Sequence, residues 1–443
     1  MQINPRILKG FRDALPDQEI IRRDTFHNLE KTFRSFGFMP IDTPALEYKE
    51  VLLGKGGGET DKQIYEFTDK GKREVALRFD LTVPFARFMA MHFQTIGLPF
   101  KRYHMAKVWR GENTQKGRYR EFYQCDFDIV GLDNASSDFE ILLLIMDSLK
   151  NLGINDFTVH LSHRGLFNAF LSHEGISEKS VEILRSVDKL TKIGLTKTKD
   201  LLSNLVTPDK TEKIIEYITA GQKPESNLNM SQILNKLTEL SGGSNEHSAR
   251  LQNIITFLQD SKKINNVVLD PSITRGLDYY TGIVYETFLN PIPGIGSICS
   301  GGRYNNLAAL YTKEQLPGVG ASIGLDRLLA AMSEPEMKKS ISLPGSTSSD
   351  ILIMCMDESL AGYYAKIADQ FRKEGIKVDM FHVKKKLVQQ FKYAEKKQIG
   401  YAIIAGSNEL KTNTLNLKNL KTFEEIKDIT VEKALTLIKK TNL

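Results

Sequence analysis

Polar side chains that could take part in binding or catalysis alternate with other residues along residues 103–131. In this segment, two strand-like runs flank a polar loop at residues 111–117. The pattern predicts an antiparallel hairpin with a long loop at its tip. A period of two places these groups on one face of the second run: Arg120, Phe122, Gln124, Asp126 and Asp128. Burying them unpaired would cost about 1–3 kcal/mol each. We therefore expect this face to line a ligand site, and the alternative is a tightly paired internal network.

Two further segments place polar groups close together. Arg110 ends the first run of the hairpin, and its planar guanidinium suits bidentate binding of a phosphate or a carboxylate. In LRFDLTVPFAR, Asp80 and Thr82 are two residues apart, so on a strand they would face the same way. Pro84 would then end that strand. A carboxylate beside a hydroxyl can hold an ammonium group.

Glycine-rich segments carry the remaining candidates. Four polar residues crowd around a glycine turn: Arg275, Asp278, Tyr279 and Tyr280. Residues 318–332 read as a glycine-rich strand that runs into an apolar helix, with Arg327 in the first turns of that helix. Arg327 is either an ion-pair partner of Asp326 or Glu334, or a phosphate ligand.

Other motifs are absent or weak. The sequence has no Walker A motif. Residues 320–324 match the GxSxG nucleophile elbow of hydrolases with Ser322 as nucleophile, but no HGGG-type loop precedes them. The alternative is a strand of small residues packed closely under a helix. The three cysteines, Cys125, Cys299 and Cys355, are too far apart for a zinc knuckle or a disulfide framework, so we expect reduced, buried thiols.

Composition divides the chain into segments that must position these groups. Residues 1–164 and 263–335 mix strand and helix patterns, and residues 165–262 read as a helical insertion between them. A polar linker at residues 336–350 leads to residues 351–443, whose alternating strands and helices predict a small α/β domain.

Charge is concentrated near the C-terminus. The chain carries 60 Lys/Arg and 54 Asp/Glu, and residues 350–443 hold 17 of the basic and 12 of the acidic residues. A basic module favours a polyanionic partner, although a solvated lysine-rich face is the alternative. The longest aliphatic run, residues 141–146, is far below the roughly 20 residues of a membrane span. The N-terminal residues lack the apolar run of a signal peptide, so we expect a cytoplasmic protein without membrane contact.

Taken together, these segments resemble the class II aminoacyl-tRNA synthetases and, closely, the histidyl-tRNA synthetase family. KGFRDALPD and FGFMPIDTPALE resemble the opening helix and motif 1, through which that family forms homodimers. Residues 103–131 resemble motif 2, and residues 318–332 resemble motif 3. LDPSITRGLDYYTGIVYETF and SICSGGRYNNL resemble the two segments peculiar to the histidine family.

The resemblance implies an α+β fold, in which helices flank an antiparallel sheet of six or seven strands. A helical insertion and a C-terminal α/β anticodon-binding domain complete it. It also implies ATP-dependent activation of L-histidine to histidyl-adenylate, followed by transfer to the 3′ end of tRNA(His). ATP is then a substrate, Mg²⁺ is held mainly by its phosphates, and no protein metal ligand is expected. The alternative is a catalytically inactive regulatory or tRNA-sensing paralogue. Such paralogues typically lose the phosphate-binding arginines or the anticodon-binding domain, whereas this sequence keeps Arg110, Arg275, Arg327 and residues 351–443.

Residue roles follow from the same resemblance. The implied histidine-binding residues are Asp80, Leu81, Thr82, Arg110, Gln124, Asp128, Arg275, Tyr279 and Tyr280. The implied ATP-binding residues are Arg110, Glu112, Arg118, Phe122 and Arg327. Arg110 and Arg275 are the implied catalytic residues. Candidates for the acceptor end of tRNA are Gln115, Lys116 and Arg120. In the tail, Phe381 and Tyr393 are candidate base-stacking platforms, although such aromatics are more often core residues.

Overall fold

The computed structural model describes residues 2–54, 63–221, 229–274, 279–339, 347 and 349–440. The chain divides into two compact units. The first consists of residues 1–13 and 25–343, and the second of residues 14–24 and 344–443. None of the helices in this described part of the chain has the length and apolar character needed to cross a membrane.

Short and long strands alternate with helices along the first unit. Its strands are β1 (Met39–Pro40), β2 (Leu46–Tyr48), β3 (Glu66–Thr68), β4 (Glu74–Leu77), β5 (Phe100–Trp109), β6 (Glu121–Val130), β7 (Phe157–His163), β8 (Val267–Leu269), β9 (Ile283–Leu289), β10 (Cys299–Tyr304) and β11 (Gly318–Gly324). The helices lying wholly or partly in this unit are α1 (Pro16–Ser35), α2 (Lys49–Leu53), α3 (Thr82–Ile96), α4 (Ala135–Asn151), α5 (Arg164–His173), α6 (Ser180–Val187), α7 (Leu190–Ser203), α8 (Pro208–Ile218), α9 (Met230–Leu240), α10 (Glu246–Asp260), α11 (Leu325–Met332) and α12 (Pro335–Lys338).

The large sheet of the first unit has the order β1–β5–β6–β11–β10–β9–β7–β8. Neighbours between β5 and β7 pair antiparallel, whereas β1 and β8 pair parallel to the strands next to them. Among the described residues, six central strands therefore form the expected antiparallel sheet. The parallel edge strands β1 and β8 have two and three residues, too short for a period of two to be visible in the sequence.

The hairpin of β5 and β6 confirms the strongest sequence pattern. The two strands pair in unbroken register from Phe100 with Val130 to Trp109 with Glu121, and residues 110–120 form the loop. On one face of β6, Cys125, Phe127 and Ile129 join the main apolar core. Helix α4 supplies the facing layer of that core, with Asn134 capping its first turn.

Helices α5 to α10 occupy most of residues 165–262, as their sequence pattern predicts. Thr207 and Pro208 stand at the predicted first positions of α8, although the Thr207 side chain makes no capping hydrogen bond. Asn229 and Asn245 cap α9 and α10 through capping boxes. Buried side chains of these helices, such as Tyr217 and Leu237, extend the main apolar core.

The second unit contains the predicted alternation of strands and helices. Its strands are β12 (Ile351–Ile353), β13 (Val378–Met380), β14 (Tyr401–Ile404), β15 (Leu415–Asn419) and β16 (Glu425–Ile429), in the sheet order β13–β12–β14–β15–β16. Its helices are α13 (Ala361–Lys373), α14 (Leu387–Lys396), α15 (Ser407–Thr412) and α16 (Val431–Lys440). The sequence pattern misses α15, which has six residues, and β16, an exposed and charged edge strand.

Candidate active site

One face of the large sheet carries the candidate site as rows of cross-strand partners. A first row joins Arg102 of β5, Asp128 of β6, Gly320 of β11 and Gly302 of β10. A second row runs through His104, Asp126, Ser322, Ser300 and Glu286. Because paired residues project to the same side of a sheet, both rows share one face. The predicted polar face of β6 is confirmed as a surface that continues over four neighbouring strands.

Glycine in the first row makes space for larger groups. A Cβ atom at Gly320 would lie 2.0 Å from Oδ1 of Asp128, and one at Gly302 would lie 2.9 Å from the ring of Tyr280. Any side chain at either position would displace its neighbour. Asp128 and Tyr280 consequently lie side by side over two paired glycines.

A cavity of about 470 Å³ opens on this face. Among the predicted site residues, those that line it are Asp80, Thr82, Arg110, Glu112, Arg118, Phe122, Gln124, Tyr279, Tyr280 and Arg327. Leu81 and Asp128 are buried and do not line this cavity. Arg275 and Asp278 lie outside the described residues.

The segment around Asp80 corrects one structural expectation. β4 ends at Leu77 and α3 begins at Thr82, so Asp80 and Thr82 do not lie on a strand. Pro84 lies in the first turn of α3, where its missing N–H leaves no intrahelical bond unmade. The Asp80 Oδ1 accepts a hydrogen bond from the Val83 N–H at 3.1 Å and stabilises this helix start. Asp80 and Thr82 reach the cavity because they lie at the start of a helix, and not because they share one face of a strand.

Burial sets the electrostatics of Asp80. It raises the pKa of this carboxyl to about 6, although the Val83 N–H and the nearby Arg110 favour the charged form. The Tyr279 hydroxyl donates to Oδ2 of Asp80 at 3.4 Å. Asp80 is thus a nearly buried acid with a carboxylate oriented toward Tyr279 at the cavity wall.

A buried ionic cluster lies beside Asp80. Arg102 Nη2 is 2.7 Å from Asp128 Oδ2 and 3.7 Å from Asp126 Oδ2. Burial raises the pKa of Asp126 and brings that of Asp128 to about 7, while Arg102 opposes both shifts. The Tyr304 hydroxyl donates to Oδ1 of Asp128 at 2.5 Å. Sequence reasoning found the two acids but missed Arg102 and Tyr304.

Arg110 and Phe122 face each other at the hairpin end. The Arg110 Nε donates to the Phe79 carbonyl at 2.8 Å, and its guanidinium carbon lies 5.2 Å from the Phe122 ring centroid. Arg118 pairs with Glu112 at 3.3 Å across the loop. The loop and the start of β6 therefore present an aromatic ring and several nitrogen donors to one end of the cavity.

The start of α11 completes that end. Arg327 Nη1 donates to the Ser297 carbonyl at 2.5 Å, and the side chain lines the cavity. Its two proposed acidic partners are engaged elsewhere, because Asp326 pairs with Arg12 and Glu334 pairs with Lys116. Both alternatives for Arg327 place its guanidinium at this end of the cavity, next to Ser297.

The hydrolase alternative fails on geometry. A nucleophile elbow requires a tight turn between a strand and a helix, but Ser322 lies within β11 and has cross-strand partners on both sides. Its hydroxyl accepts a hydrogen bond from Gln124 Nε2 at 2.8 Å. Ser322 belongs to the small-residue strand that the alternative predicted.

Sequence reasoning also missed cavity residues from distant parts of the chain. Glu286 and Ser300 line the wall through the second row of the sheet, and Lys192 reaches it from α7. Gly194 breaks the regular helix of α7 two residues beyond Lys192. No local motif marks these residues, because only the strand register and the packing of the helical segment bring them to the cavity.

The antiparallel sheet, the hairpin with its arginine and aromatic ring, and the arginine at the start of α11 define a class II aminoacyl-tRNA synthetase. The family model described as histidyl-tRNA synthetase matches residues 10–328, and the anticodon binding domain model matches residues 350–441. The chain belongs to the histidyl-tRNA synthetase family.

Relatives agree with this assignment. A histidine–tRNA ligase of Treponema denticola is 50% identical over 401 residues, covering 90% of this chain and 89% of the relative. One of Rhodopirellula baltica is 45% identical and covers 95% of both chains. The crystal structure of histidyl-tRNA synthetase from Nostoc sp. PCC 7120 has a TM-score of 0.87 at 31% identity, covering 99% of this chain and 100% of that chain.

A more distant structural neighbour shares the fold. A Bacillus halodurans structure described as an ATP phosphoribosyltransferase regulatory subunit/histidyl-tRNA synthetase has a TM-score of 0.73, covering 92% of this chain and 100% of that chain. At 21% identity it shows a shared fold only. The predicted family, fold class and enzyme class, an aminoacyl-tRNA ligase for histidine, are confirmed by the family match and the relatives.

Proposed function

We propose that this chain activates L-histidine with ATP, forming histidyl-adenylate and pyrophosphate, and then transfers the histidyl group to the 3′ end of tRNA(His). The observation that carries the proposal is the convergence of Asp80, Thr82, Arg110, Phe122 and Arg327 on one cavity. An acid suited to an ammonium group, with Arg110 beside it and further guanidinium groups in the same cavity, fits an amino acid whose carboxylate lies next to the phosphates of a nucleotide.

The histidine side of the cavity is assigned from its charges. Asp80 and Thr82, with the Leu81 backbone between them and Gln124 opposite, hold the substrate ammonium. Gln124 supports this assignment, because its buried Oε1 has no hydrogen-bond partner within the described residues. Tyr279 and Tyr280 close the pocket, and Asp128 behind them accepts the imidazole N–H once the substrate is bound.

The nucleotide side takes ATP between an aromatic ring and guanidinium groups. Phe122 stacks on adenine and Arg327 covers the opposite face near the γ-phosphate. Glu112 and Arg118 contact adenine and the terminal phosphates. Arg110, already fixed by the Phe79 carbonyl, binds the α-phosphate and the histidine carboxylate.

The chemical step requires little covalent work from the protein. The histidine carboxylate attacks the α-phosphorus and pyrophosphate leaves, so negative charge builds on the phosphate oxygens. Arg110 and Arg275 are the cations we assign to the α-phosphate, and a preorganised guanidinium stabilises that charge without moving. The tRNA ribose hydroxyl then attacks the adenylate carbonyl, with the adenylate phosphate as base.

Magnesium enters with ATP. The described part of the chain holds no group of three or more His, Cys, Asp and Glu side chains suited to a metal ion. The nucleotide end of the cavity carries Arg110, Arg118 and Arg327, which suit phosphate and not a cation. We therefore assign Mg²⁺ mainly to the ATP phosphates, where it neutralises the leaving pyrophosphate.

The remaining assignments concern the whole assembly. Residues 1–164 and 263–335 form the catalytic core, residues 165–262 an insertion, residues 336–350 a linker and residues 351–443 the anticodon-binding domain. The excess of lysine in the last segment supports binding of the tRNA phosphates by this domain.

Two copies associate through motif 1, whose Met39 and Leu46 are exposed apolar residues. Three free cysteines agree with a reducing, cytoplasmic location.

The test is amino-acid-dependent ATP–pyrophosphate exchange with the full-length chain and each of the twenty amino acids. Exchange with histidine alone supports the proposed substrate and the adenylate intermediate. Arg110→Ala should abolish exchange, whereas Arg73→Ala, which removes an exposed ion pair with Asp69, should leave it unchanged. A folded chain that gives no exchange with any amino acid would overturn the proposal and favour the regulatory paralogue.

A further inference from the structure

We propose that Arg102 is a positioning residue for histidine selection, because its buried guanidinium holds the Asp128 carboxylate in place and joins it to the segment that holds the substrate amino group. The proposal rests on the proposed function, in which Asp128 accepts the imidazole N–H. Arg102 lies within the sheet, does not line the cavity and acts through its neighbours.

The position of Arg102 leaves it few other roles. Its side chain is 0% exposed, and its guanidinium carbon lies 4.3 Å from the Phe85 ring centroid. Nη2 faces both Asp128 and Asp126, while Nε and Nη1 have no hydrogen-bond partner among the described residues. A guanidinium with two orphaned nitrogens is expensive to bury. Its best contacts are with the two acids, so it is the counter-ion of that pair.

Charge balance explains why the cation is needed. Two carboxylates within a dry site cannot both ionise easily without a nearby positive charge. The charged and titratable groups that face Asp128 come from several elements: Arg102 of β5, Asp126 of β6, Tyr304 of β10, Asp80 before α3 and Tyr280 before β9. Arg102 is the cation of this set, so its loss would favour a protonated Asp128. A protonated carboxyl carries an O–H on one oxygen and accepts only through its uncharged carbonyl oxygen, so it is a weaker acceptor for the imidazole N–H.

Arg102 also connects the two ends of the histidine pocket. Its Nη2 lies 3.5 Å from the Leu81 carbonyl, and the Thr82 hydroxyl lies 3.4 Å from Asp126 Oδ2. Both contacts are long and individually weak. They nevertheless link the ammonium-binding turn, through Asp126 and Arg102, to Asp128. Loss of Arg102 should accordingly affect histidine and spare ATP, whose proposed ligands lie on the hairpin loop, at the start of β6 next to it and on α11.

The decisive experiment measures KM for histidine and for ATP in pyrophosphate exchange between pH 6 and 8.5, with the full-length chain. We expect Arg102→Met to raise KM for histidine about threefold or more at pH 7.5, because a pKa rise of one unit or more from about 7 lowers the charged fraction of Asp128 by that factor. The pH below which histidine binding weakens should move upward by about one unit. KM for ATP should stay within about twofold. Arg102→Lys, which keeps the charge, should restore part of the loss.

Arg250→Met is the matched control. Arg250 pairs with the buried Asp138 at 2.6 Å, and neither residue lines the cavity, so its loss should lower thermal stability without shifting the pH profile. The double variant Arg102→Met/Asp126→Asn removes one charge of each sign and decides the question if Arg102→Met alone does not fold. We expect its pH profile to lie above that of the wild-type chain by less than one unit, and a profile equal to that of the wild-type chain would count against the role of Arg102.

The variant Asp128→Asn separates the proposed role of Asp128 in binding histidine from the proposed role of Arg102 in positioning Asp128. If Asp128→Asn leaves KM for histidine unchanged, the assigned role of Asp128 is wrong and the role of Arg102 falls with it. If Asp128→Asn raises KM but the Arg102 variants keep the wild-type pH profile, the proposed function stands and Arg102 is only a structural residue. A shift seen equally in Arg250→Met would also overturn the proposal.

Discussion

The Tyr304 hydroxyl donates a hydrogen bond of 2.5 Å to Oδ1 of Asp128, and both groups are buried over the glycine row of the sheet. The acceptor has a pKa of about 7, raised by burial and opposed by Arg102 and by this bond. Tyr304 therefore fixes one oxygen of Asp128 and favours its charged form. The other oxygen faces Arg102 at 2.7 Å.

The first prediction concerns Tyr304→Phe. The variant should raise KM for histidine about tenfold, because a buried hydrogen bond to a charged acceptor contributes about 1.5–3 kcal/mol. KM for ATP should change less than twofold, as measured by pyrophosphate exchange. Tyr311→Phe is the control, since the Tyr311 hydroxyl donates to the Val51 carbonyl at 2.7 Å and does not line the cavity. Equal KM values for histidine in the wild-type chain and Tyr304→Phe would refute the role of this bond.

The sequence predicts much of this sheet face because β6 is long and strictly alternating. A period of two separates Gln124 and Asp126 from Cys125 and Phe127, and the structure keeps that separation. The ends of the strands are less clear: the sequence pattern places the loop at residues 111–117 and puts Arg110 and Arg120 on the strands, whereas in the structure the loop covers residues 110–120 and contains both. Long elements with a clear period are the ones that pattern reasoning resolves.

The segment LRFDLT shows where such reasoning fails. Apolar and polar residues alternate there as in a strand, yet Asp80 bonds the Val83 N–H and starts a helix at Thr82. Side-chain to backbone bonding by aspartate competes with the sheet ladder, and tertiary packing decided the outcome. Arg102 and Lys192 were missed for another reason. Their roles depend on strand register and on packing between segments far apart in the chain, and neither is visible in local sequence.

The second prediction follows from the pKa of Asp80, raised from 3.8 to about 6 by burial. A raised folded-state pKa means that the folded chain binds the proton more tightly than the unfolded chain. The stability contributed by that protonation is full below about pH 3.8 and is lost as pH rises through about 6. Asp80→Asn keeps an acceptor for the Val83 N–H without the charge, so it should be more stable than the wild-type chain at pH 8.

Thermal melts of both chains from pH 4 to pH 8 check this expectation. The advantage of Asp80→Asn should be about 1–3 kcal/mol at pH 8 and should shrink toward zero near pH 4. The same variant should lose histidine-dependent exchange at every pH, because the ammonium loses its counter-charge. A lower stability of Asp80→Asn at pH 8 would show that the buried charge is well compensated in the folded chain.

The third prediction concerns the N-terminal segment and α11. Arg12 pairs with Asp326, whose other oxygen accepts the Tyr123 N–H at 2.7 Å, and the Arg12 guanidinium lies 3.9 Å from the Tyr119 ring. Arg12 thereby holds the residue next to Arg327 against β6. Arg12→Gln should raise KM for ATP about three- to tenfold and leave KM for histidine within twofold.

Pyrophosphate exchange at varied ATP concentration measures this effect. The control is Arg23→Gln, which removes an exposed pair with Glu19 that contributes about 0–1 kcal/mol at most. It should leave both KM values unchanged. A change in KM for histidine as large as that for ATP would mean that Arg12 stabilises the whole cavity and not the nucleotide end.

The fourth prediction concerns the basic C-terminal segment. Lysines 384–386 are exposed and precede α14, and within the described residues their ammonium groups form no ion pair. Alanine at all three positions should weaken tRNA(His) charging and lower the salt dependence of tRNA binding. Each phosphate contact contributes about 0.7–0.9 to the slope of log K against log salt, so removing it flattens that slope. Histidine-dependent exchange should not change.

A triple alanine variant at Lys373, Lys377 and Lys439 tests whether net charge alone explains such a loss. These lysines face Asp369, Asp350 and Glu374, so neighbouring carboxylates already offset their charge. Both triple variants remove three positive charges. Among the described residues, only the variant at 384–386 removes charges that have no such ion-pair partner. We expect tRNA binding to weaken more in the variant at 384–386, measured at two salt concentrations. Equal weakening would assign the effect to the overall field of the domain, since a long-range field depends on total charge and a contact depends on position.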